Sequence, residues 1–261
     1  MNEDGVDSAR QGWTDRYREK VRAASEAVSL IGNGKRIFIG SGGAEPQVLV
    51  ASLAEADLHD CQVVHIMTLG GAPYVADRFR EKFRHNAFFI GSNVREAVAR
   101  GKADYTPIFL SEIPRLFRSG KVHLDVALIQ VSAPDRHGYF SLGVSVDVVK
   151  AAVENARIVV AEVNPRMPWT MGGSLVHASD IDFLVPVESE ILEHVPHPPD
   201  DVARRIGKHI ATLIPDGATL QMGIGTIPDA VLHFLGGKKD LGIHTEMFSD
   251  GLIPLIESGV V

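Results

Sequence analysis

Two carboxylates near the C-terminal end of the sequence are the side chains best suited to do chemistry. Glu246 and Asp250 lie in the segment GIHTEMFSDG, residues 242–251, which begins like a strand and ends like a turn. An ionised carboxylate held at the end of a parallel strand can act as a nucleophile, because a covalent intermediate divides one difficult exchange into easier steps. The alternative interpretation of the same residues is a solvated strand end.

A metal site is a second possibility for this segment, since His244 and Glu246 form the H-x-E pair of zinc deaminases. That chemistry also needs a P-C-x-x-C motif, and the chain has a single cysteine, Cys61. Alternation along a strand would place His244 and Glu246 on one side, but no third ligand follows at a suitable spacing. We therefore expect no metal, and we expect Cys61 to be a small buried residue.

Two glycine-rich turns each follow a predicted strand and precede a predicted helix. They are GSGGAEP, residues 40–46, and QMGIGTIPDAV, residues 221–231. Backbone N–H groups in such a turn can approach an anion at the start of a helix. Neither turn completes the dinucleotide pattern G-x-G-x-x-G, because Glu45 and Pro228 occupy the third glycine position, and the second turn has no P-loop lysine. Both turns can also be purely structural.

Two further loops could contact a substrate. VNPRMPWTMGGS, residues 163–174, is long and contains Trp169, and SAPDRHGYFSLG, residues 132–143, places His137 among turn residues. Loops of this length in compact domains are often functional. A covering flap and a solvated turn histidine are the alternative interpretations.

The composition is that of a globular protein and excludes several classes. The chain has 261 residues, of which 45% are hydrophobic, and its formal charge is −7 with the acidic residues dispersed, which argues against a nucleic-acid partner. The sequence contains no run of about 18 apolar residues, so we expect no transmembrane helix. The polar N-terminus lacks the apolar centre of a secretory signal. The single cysteine excludes an intrachain disulfide and favours a cytoplasmic location.

Short β-rich runs alternate with amphipathic segments over most of the chain. The predicted strands are 36–40, 61–69, 86–91, 122–132 and 157–163, and the predicted helices are 14–31, 46–56, 74–83, 94–101, 111–120 and 146–156. Continuous apolar strands joined by helices indicate a parallel sheet covered on both faces. The predicted fold class is therefore α/β, with ligands at the edge formed by the carboxyl ends of the strands.

A proline-rich segment, PVESEILEHVPHPPDD at residues 186–201, interrupts this alternation and predicts a domain boundary. We assign residues 1–13 to a flexible N-terminus, 14–195 to a first α/β domain and 196–261 to the start of a second. The elements predicted in the second are helices 200–214, 227–237 and 251–259 and strands 218–225 and 241–248. Because two strands do not make an independently stable sheet, we expect the second domain to be truncated or to be completed by a partner.

The segments LQMGIGTIPDAV and GIHTEMFSDG together resemble the acetyl-CoA hydrolase/transferase family, and within it the 4-hydroxybutyrate CoA-transferases most of all. IFIGSGGAEPQ, VDVALIQVSAPDRHGYFSLGVSVDV and VAEVNPRMPWTMGGS extend the resemblance over the whole chain. It implies a tandem α/β fold of open parallel sheets with flanking helices. This chain would correspond to its N-terminal part, with the second domain incomplete.

The resemblance also implies a ping-pong reaction that moves CoA between a short-chain acyl-CoA and a carboxylic acid. Glu246 would be the nucleophile and would pass through a mixed anhydride to a glutamyl-CoA thioester. CoA would be a substrate, with no permanently bound cofactor and no metal. The implied CoA-contacting residues are Gln221, Met222, Gly223, Ile224 and Gly225. Gly42 and Gly43 are candidates for a substrate loop or for N–H donors to the oxyanion, a role that such amides commonly fill.

Three alternatives stay open at this point. Water rather than an acid could resolve the thioester, which would make the protein an acyl-CoA hydrolase. The chain could instead be a non-catalytic part that needs the missing half or assembles as a homo-oligomer. A nicotinamide-dependent oxidoreductase is disfavoured, because both glycine-rich turns lack the fingerprint. The acyl group could be acetate, propionate, butyrate or 4-hydroxybutyrate.

Overall fold

The computed structural model describes residues 12–195 and 198–261, and the chain divides into two compact units, Met1–Glu193 and His194–Val261. Of the N-terminus predicted to be flexible, residues 1–11 lie outside the described residues. Residues 12–16 are helical and are labelled α1. Each unit has its own hydrophobic core.

A parallel sheet of seven strands forms the centre of the first unit. Its strands are β1 (Arg36–Ile39), β2 (Cys61–His65), β3 (Phe83–Ala87), β4 (Ala103–Tyr105), β5 (Leu124–Val131), β7 (Ala156–Val163) and β9 (Phe183–Pro186), in the order β4-β3-β2-β1-β5-β7-β9. From β1 the chain builds outward to β4 and then returns to β5 on the other side of β1. The loops after β1 and β5 therefore diverge, and open α/β sheets bind their ligands at such a switch point.

Helices cover both faces of this sheet, as the continuous apolar strands predict. They are α2 (Ala24–Ser29), α3 (Gln47–Glu55), α4 (Arg95–Ala99), α5 (Ile113–Arg118) and α6 (Val149–Asn155). Ile37 and Ile39 pack into the core on one face and Phe38 into the core on the other, because successive side chains of a strand point to opposite faces. All eight residues of β5 are buried.

A small antiparallel pair, β6 (Tyr139–Ser141) with β8 (Leu175–His177), lies outside the main sheet. The strands predicted from the sequence do not include this pair, nor do they include β4 and β9. These strands are only three or four residues long, so their hydrophobic pattern is too short to be distinguished from that of a loop.

The predicted single helix over residues 14–31 is wrong. Its middle is extended, because Val21 forms a parallel bridge with Leu184. The Arg22 N–H donates to the Leu184 carbonyl at 3.0 Å, and the Leu184 N–H donates to the Lys20 carbonyl at 2.9 Å. Of the apolar residues at helical spacing, Val21 thus extends the sheet beside β9, and Ala24 and Val28 belong to the short helix Ala24–Ser29.

The predicted helix over residues 74–83 is also wrong, and the strand after it is displaced. Two 3-10 turns, Pro73–Val75 and Asp77–Phe79, replace the helix. Tyr74, Phe79 and Phe83 are buried as the helical spacing suggested, but Phe83 already belongs to β3. The predicted strand over residues 86–91 instead covers Phe83–Ala87, in which the buried Phe83, His85 and Ala87 alternate with the exposed Arg84 and the half-buried Asn86.

The second unit contains α7 (Asp201–Leu213), β10 (Thr219–Leu220), α8 (Thr226–His233), β11 (Gly242–Ile243) and α9 (Ile253–Glu257). The Asp200 carboxylate caps α7 by accepting a hydrogen bond from the Ala203 N–H at 2.7 Å. Strands β10 and β11 pair in parallel over two residues each. In the part of the chain that the structure describes, no helix has the length and apolarity needed to cross a membrane.

Candidate active site

Glu246 lies just beyond the carboxyl end of β11, and the loop from Gln221 to Gly225 leaves the carboxyl end of the neighbouring strand β10. The pairing ends with a hydrogen bond of 3.0 Å from the His244 N–H to the Leu220 carbonyl. The predicted strand over residues 241–248 is therefore wrong beyond Ile243, because the chain after Leu220 turns away and leaves nothing to pair with. Because β11 ends at Ile243, the alternation of side chains along a strand does not place His244 and Glu246 on the same side of the sheet.

The backbone around Glu246 is fixed by side chains on either side of it. The Thr245 hydroxyl donates to the Met222 carbonyl at 3.0 Å and accepts from the Met222 N–H at 3.0 Å. The Ser249 hydroxyl donates to the Asp229 carboxylate at 2.7 Å. The Glu246 side chain itself is exposed, and among the described residues its carboxylate has no hydrogen-bond or ion-pair partner. A free carboxylate on an anchored backbone suits a nucleophile.

The loop before α8 presents unused backbone amides. In residues 12–195 and 198–261, the N–H groups of Gly223, Ile224 and Gly225 have no acceptor, while that of Met222 is taken by Thr245. Gly225 precedes the helix with φ +124° and no side-chain cap, a conformation that requires glycine. The first N–H groups of a helix have no intrahelical partner, so this end of α8 can accept an anion or a carbonyl oxygen.

The first glycine-rich turn lies at the switch point of the large sheet. The Gly42 N–H donates to the Met67 carbonyl at 2.8 Å, so this amide is already used and cannot serve an oxyanion in this conformation. Gly43 keeps its N–H without an acceptor among the described residues. A Cβ added at Gly43 would lie 2.9 Å from the Leu192 carbonyl oxygen, so only glycine fits there. Of the two glycines predicted from the sequence, Gly43 is the one that can still donate.

A buried polar network holds the same turn in place. The Ser41 hydroxyl donates to the Asp147 carboxylate at 2.7 Å. The Glu45 carboxylate accepts from the Gly70 N–H at 2.6 Å, and the Gln130 amide donates to the Glu45 carbonyl at 2.8 Å. These bonds join the carboxyl ends of β1, β2 and β5.

Two buried glutamates accompany this network, and neither was among the candidate residues predicted from the sequence. Burial raises the pKa of Glu45 to about 7 and that of Glu162 to about 7, and the nearby charge of Glu45 adds to the shift at Glu162. Glu162 is fully buried and accepts from the Leu49 N–H at 2.6 Å, while its second oxygen has no partner in the described residues. The sequence signal that could have identified Glu162 is its place as the only acidic residue in the apolar run RIVVAEV.

A cluster of buried aromatic side chains lies on β2, β3 and the turn that precedes β3. The rings of His65 and His85 stack with centroids 4.3 Å apart, and Tyr74 packs against both. Burial lowers the pKa of His85 to about 4 and holds the pKa of His65 well below its ordinary value. Both histidines therefore stay neutral near pH 7 and belong to the core.

The remaining predicted loop residues are placed as follows. His137 is exposed in a turn whose N–H groups are held by Asp135, and Trp169 is 40% exposed in the loop before β8. Cys61 is buried, as predicted. In the part of the chain that is described, no three or more His, Cys, Asp or Glu side chains are grouped to hold a metal ion.

Comparisons with known proteins support the family resemblance of the sequence segments quoted above. The family model for the acetyl-CoA hydrolase/transferase N-terminal domain matches residues 6–196. The 4-hydroxybutyrate coenzyme A transferase of Clostridium kluyveri is 47% identical over 95% of this chain and 58% of its own length. The succinyl-CoA:acetate/propanoyl-CoA:succinate CoA transferase of Fasciola hepatica is 43% identical over 99% of this chain and 55% of its own.

A solved structure is similar in both sequence and fold. The crystal structure of 4-hydroxybutyrate CoA-transferase from Porphyromonas gingivalis superposes with a TM-score of 0.76 at 41% identity, covering 95% of this chain and 59% of that one. The chain thus spans little more than half the length of the relatives that it matches.

Proposed function

The chain belongs to the acetyl-CoA hydrolase/transferase family, and from this premise we propose that the whole protein transfers CoA between a short-chain acyl-CoA and a carboxylic acid. The names of its relatives, which are CoA transferases for 4-hydroxybutyrate, succinate, acetate and propanoate, support this reaction class. The acyl group is of the acetate, butyrate or 4-hydroxybutyrate type. We propose further that residues 14–195 are a first α/β domain and that residues 196–261 begin a second.

One observation carries the proposal. Within the described residues, the Glu246 carboxylate is exposed and unpaired, and the loop bonded to its backbone offers three amides without acceptors. The backbone of Glu246 is anchored on both sides. A nucleophilic carboxylate needs access to the substrate and a fixed position. A purely structural glutamate on an exposed loop would need neither the anchors nor the adjacent amides.

The first half of the proposed reaction releases the acyl group from sulfur. A Glu246 carboxylate oxygen attacks the thioester carbonyl carbon, the C–S bond breaks, and CoA leaves as a thiolate. The product is an acyl-glutamyl anhydride. The thiolate then attacks the glutamyl carbonyl carbon, a new C–S bond forms, and the first carboxylate leaves. The enzyme now holds a glutamyl-CoA thioester.

The second half repeats these steps in reverse with another acid. The incoming carboxylate attacks the glutamyl carbonyl carbon and displaces CoA thiolate, which then attacks the acyl carbonyl carbon of the new anhydride. The new acyl-CoA leaves, and Glu246 returns to its ionised form. Each attack puts negative charge on a carbonyl oxygen, and a well-placed N–H donor to such an oxygen is worth about 3 kcal/mol.

The proposed CoA contacts are the loop residues Gln221, Met222, Gly223, Ile224 and Gly225, with the free amides of the last three as the donors. Gly43 is proposed as a donor in the turn after β1, and Gly42 as the residue that shapes this turn. Coenzyme A takes part as a substrate, and the proposed chemistry uses only carboxylate, thiolate and amide groups of the protein and substrate. A cytoplasmic location stays a prediction.

The test is to trap the covalent intermediate in the complete gene product. Incubation with acyl-CoA should leave CoA attached to Glu246, detectable by mass spectrometry and removed by hydroxylamine. Glu246→Gln should abolish the adduct and lower exchange by at least about 1,000-fold, as loss of a nucleophile does. Asp250→Asn, which changes an exposed carboxylate four residues away, is the matched control and should keep both. Full exchange by the Gln variant, with slow deamidation excluded, would refute the proposal.

The same experiment separates transfer from hydrolysis. If the protein is a transferase, acyl-CoA alone leaves CoA on Glu246 as the thioester and releases no free CoA, and added carboxylic acid converts this thioester to a new acyl-CoA. If water resolves the glutamyl thioester at a comparable rate without the acid, the protein is a hydrolase. An unmodified Glu246 together with no turnover would favour a non-catalytic role.

A further inference from the structure

The two loops beyond β10 and β11 are joined by one side chain. Strand pairing ends at the bond from His244 to Leu220. Beyond it, Thr245 makes the two hydrogen bonds that connect the loop of Glu246 to Met222. Thr245 is the residue directly before Glu246, and Met222 is directly before Gly223, the first of the three free amides.

The chemistry of this contact calls for a hydroxyl. A hydroxyl supplies one hydrogen and can accept another, so Thr245 satisfies both the C=O and the N–H of Met222. With both of these groups held, the peptide plane that follows Met222 is fixed in direction, and so is the Gly223 N–H on it. No aliphatic residue of similar shape can make either bond.

A second anchor lies three residues after Glu246. The Ser249 hydroxyl donates to Asp229 in the first turn of α8 and accepts from the Gly251 N–H at 3.3 Å. Glu246 is therefore held between two side chains, one bonded to the start of the loop before α8 and the other to the first turn of α8. Its own carboxylate has no partner among the residues that the structure describes.

We propose, resting on the function proposed above, that Thr245 is a positioning residue. It fixes the position of Glu246 relative to the loop that holds CoA, and Ser249 is the second anchor. The proposed cycle depends on this relative position in two steps, because the thiolate must leave one carbonyl carbon and then attack the glutamyl carbonyl carbon. Reacting atoms must approach to about 3–3.5 Å, and an error of about 1 Å costs about 100-fold. Thr245 affects the rate through Glu246 and the loop, without touching the reacting atoms.

The experiment compares Thr245→Val with Thr245→Ser in the complete gene product. Valine keeps the shape and removes both hydrogen bonds, and serine keeps the hydroxyl. We expect the Val variant to lower kcat and the rate of Glu246 adduct formation by about 10- to 100-fold, with KM for acyl-CoA changed by less than about 3-fold. The Ser variant should recover most of the rate, and neither variant should change the shape of the pH profile.

Three results would overturn the positioning role: a Val variant as fast as wild type, a Ser variant as slow as the Val variant, or a loss confined to KM. If the Val variant does not fold, as judged by its thermal transition, Ser249→Ala decides instead. That change leaves both Thr245 bonds in place and should also lower kcat at constant KM, and an unchanged kcat would refute the two-anchor arrangement. If wild type itself forms no adduct, the proposed function fails; if wild type forms it and the variants equal wild type, only the positioning role fails.

Discussion

Replacing Glu162 with glutamine should change how the stability of the first unit depends on pH. Glu162 is fully buried in β7, and its pKa is raised by burial from an ordinary 4.5 to about 7. The folded chain therefore keeps a proton that the unfolded chain releases. The stability tied to this group is present below pH 4.5 and is lost as the pH rises through 7.

The size of the effect follows from these two pKa values. Each pKa unit corresponds to about 1.4 kcal/mol, so the full loss at high pH is about 3 kcal/mol. Between pH 5 and pH 8 wild type should lose about 2 to 3 kcal/mol of this stability. Glutamine imitates the protonated acid and does not titrate. It keeps an oxygen to accept from the Leu49 N–H. Relative to wild type, the free energy of unfolding of Glu162→Gln should thus rise by about 2 to 3 kcal/mol over this range.

The assay is urea unfolding at several pH values, followed by tryptophan fluorescence. Both tryptophans, Trp13 and Trp169, lie in the first unit, so the signal reports on that unit. The difference between variant and wild type is the quantity to plot, because buried histidines titrate with the opposite sign over part of the range. Glu55→Gln, an exposed carboxylate at the end of α3, is the control and should follow wild type at every pH.

A difference that stays constant from pH 5 to pH 8 would refute the reasoning, since it would mean that Glu162 does not hold its proton in the folded chain. Glu45→Gln adds a second check. The charge of Glu45 raises the pKa of Glu162, so removing that charge should move the remaining pH dependence of Glu162 to lower pH.

Two further predictions concern the buried histidines and the packing of the second unit. Burial lowers the pKa of His85 to about 4, so the stability tied to this side chain is present above pH 6.5 and is lost as the pH falls through 4. In urea unfolding, wild type should therefore lose about 2 kcal/mol relative to His85→Gln between pH 7.5 and pH 5. Parallel pH curves for the two proteins would refute a neutral buried His85 ring. Gly207→Ala should destabilise the second unit by about 1–3 kcal/mol despite the better helix propensity of alanine, because the added Cβ would lie 2.8 Å from the Ala230 backbone. Thermal unfolding measured against the exposed Lys208→Ala would check this, and an unchanged or higher Tm would show that α7 and α8 are not so closely packed.

The sequence predicted those parts of the fold in which one physical signal dominates. β1, β5 and β7 are continuous apolar runs in the interior of a covered sheet, and the predicted ranges agree with the structure to within two residues at either end. α7, predicted over residues 200–214, covers Asp201–Leu213. The prediction failed where tertiary contacts decide between alternatives. Helical spacing at residues 74–83 and 14–31 indicated helices, but the same apolar side chains are buried by 3-10 turns and by a bridge to Leu184.

The candidate site was predicted in the same uneven way. Glu246 and the glycine-rich turn before α8 could be singled out as candidates from residue type and a strand–turn–helix order, and their roles stay a prediction. The Thr245 bonds to Met222 depend on how two loops approach each other, and no local pattern encodes that. Glu45 and Glu162 lie more than a hundred residues apart, and only the neighbouring positions of β1, β5 and β7 in the sheet bring them near each other.

The bridge between Val21 and Leu184 has a consequence for biosynthesis. The Lys20 ammonium also donates to the carbonyls of Ala178 and Ile181, at 2.7 and 2.6 Å. A chain made on the ribosome from its N-terminus therefore carries residues 20–22 without their partners until the last strand of the sheet has been translated. Contacts this far apart in sequence form late and slowly. Nascent chains stalled before Leu184 should expose the apolar flank of this segment and would be natural clients for a chaperone.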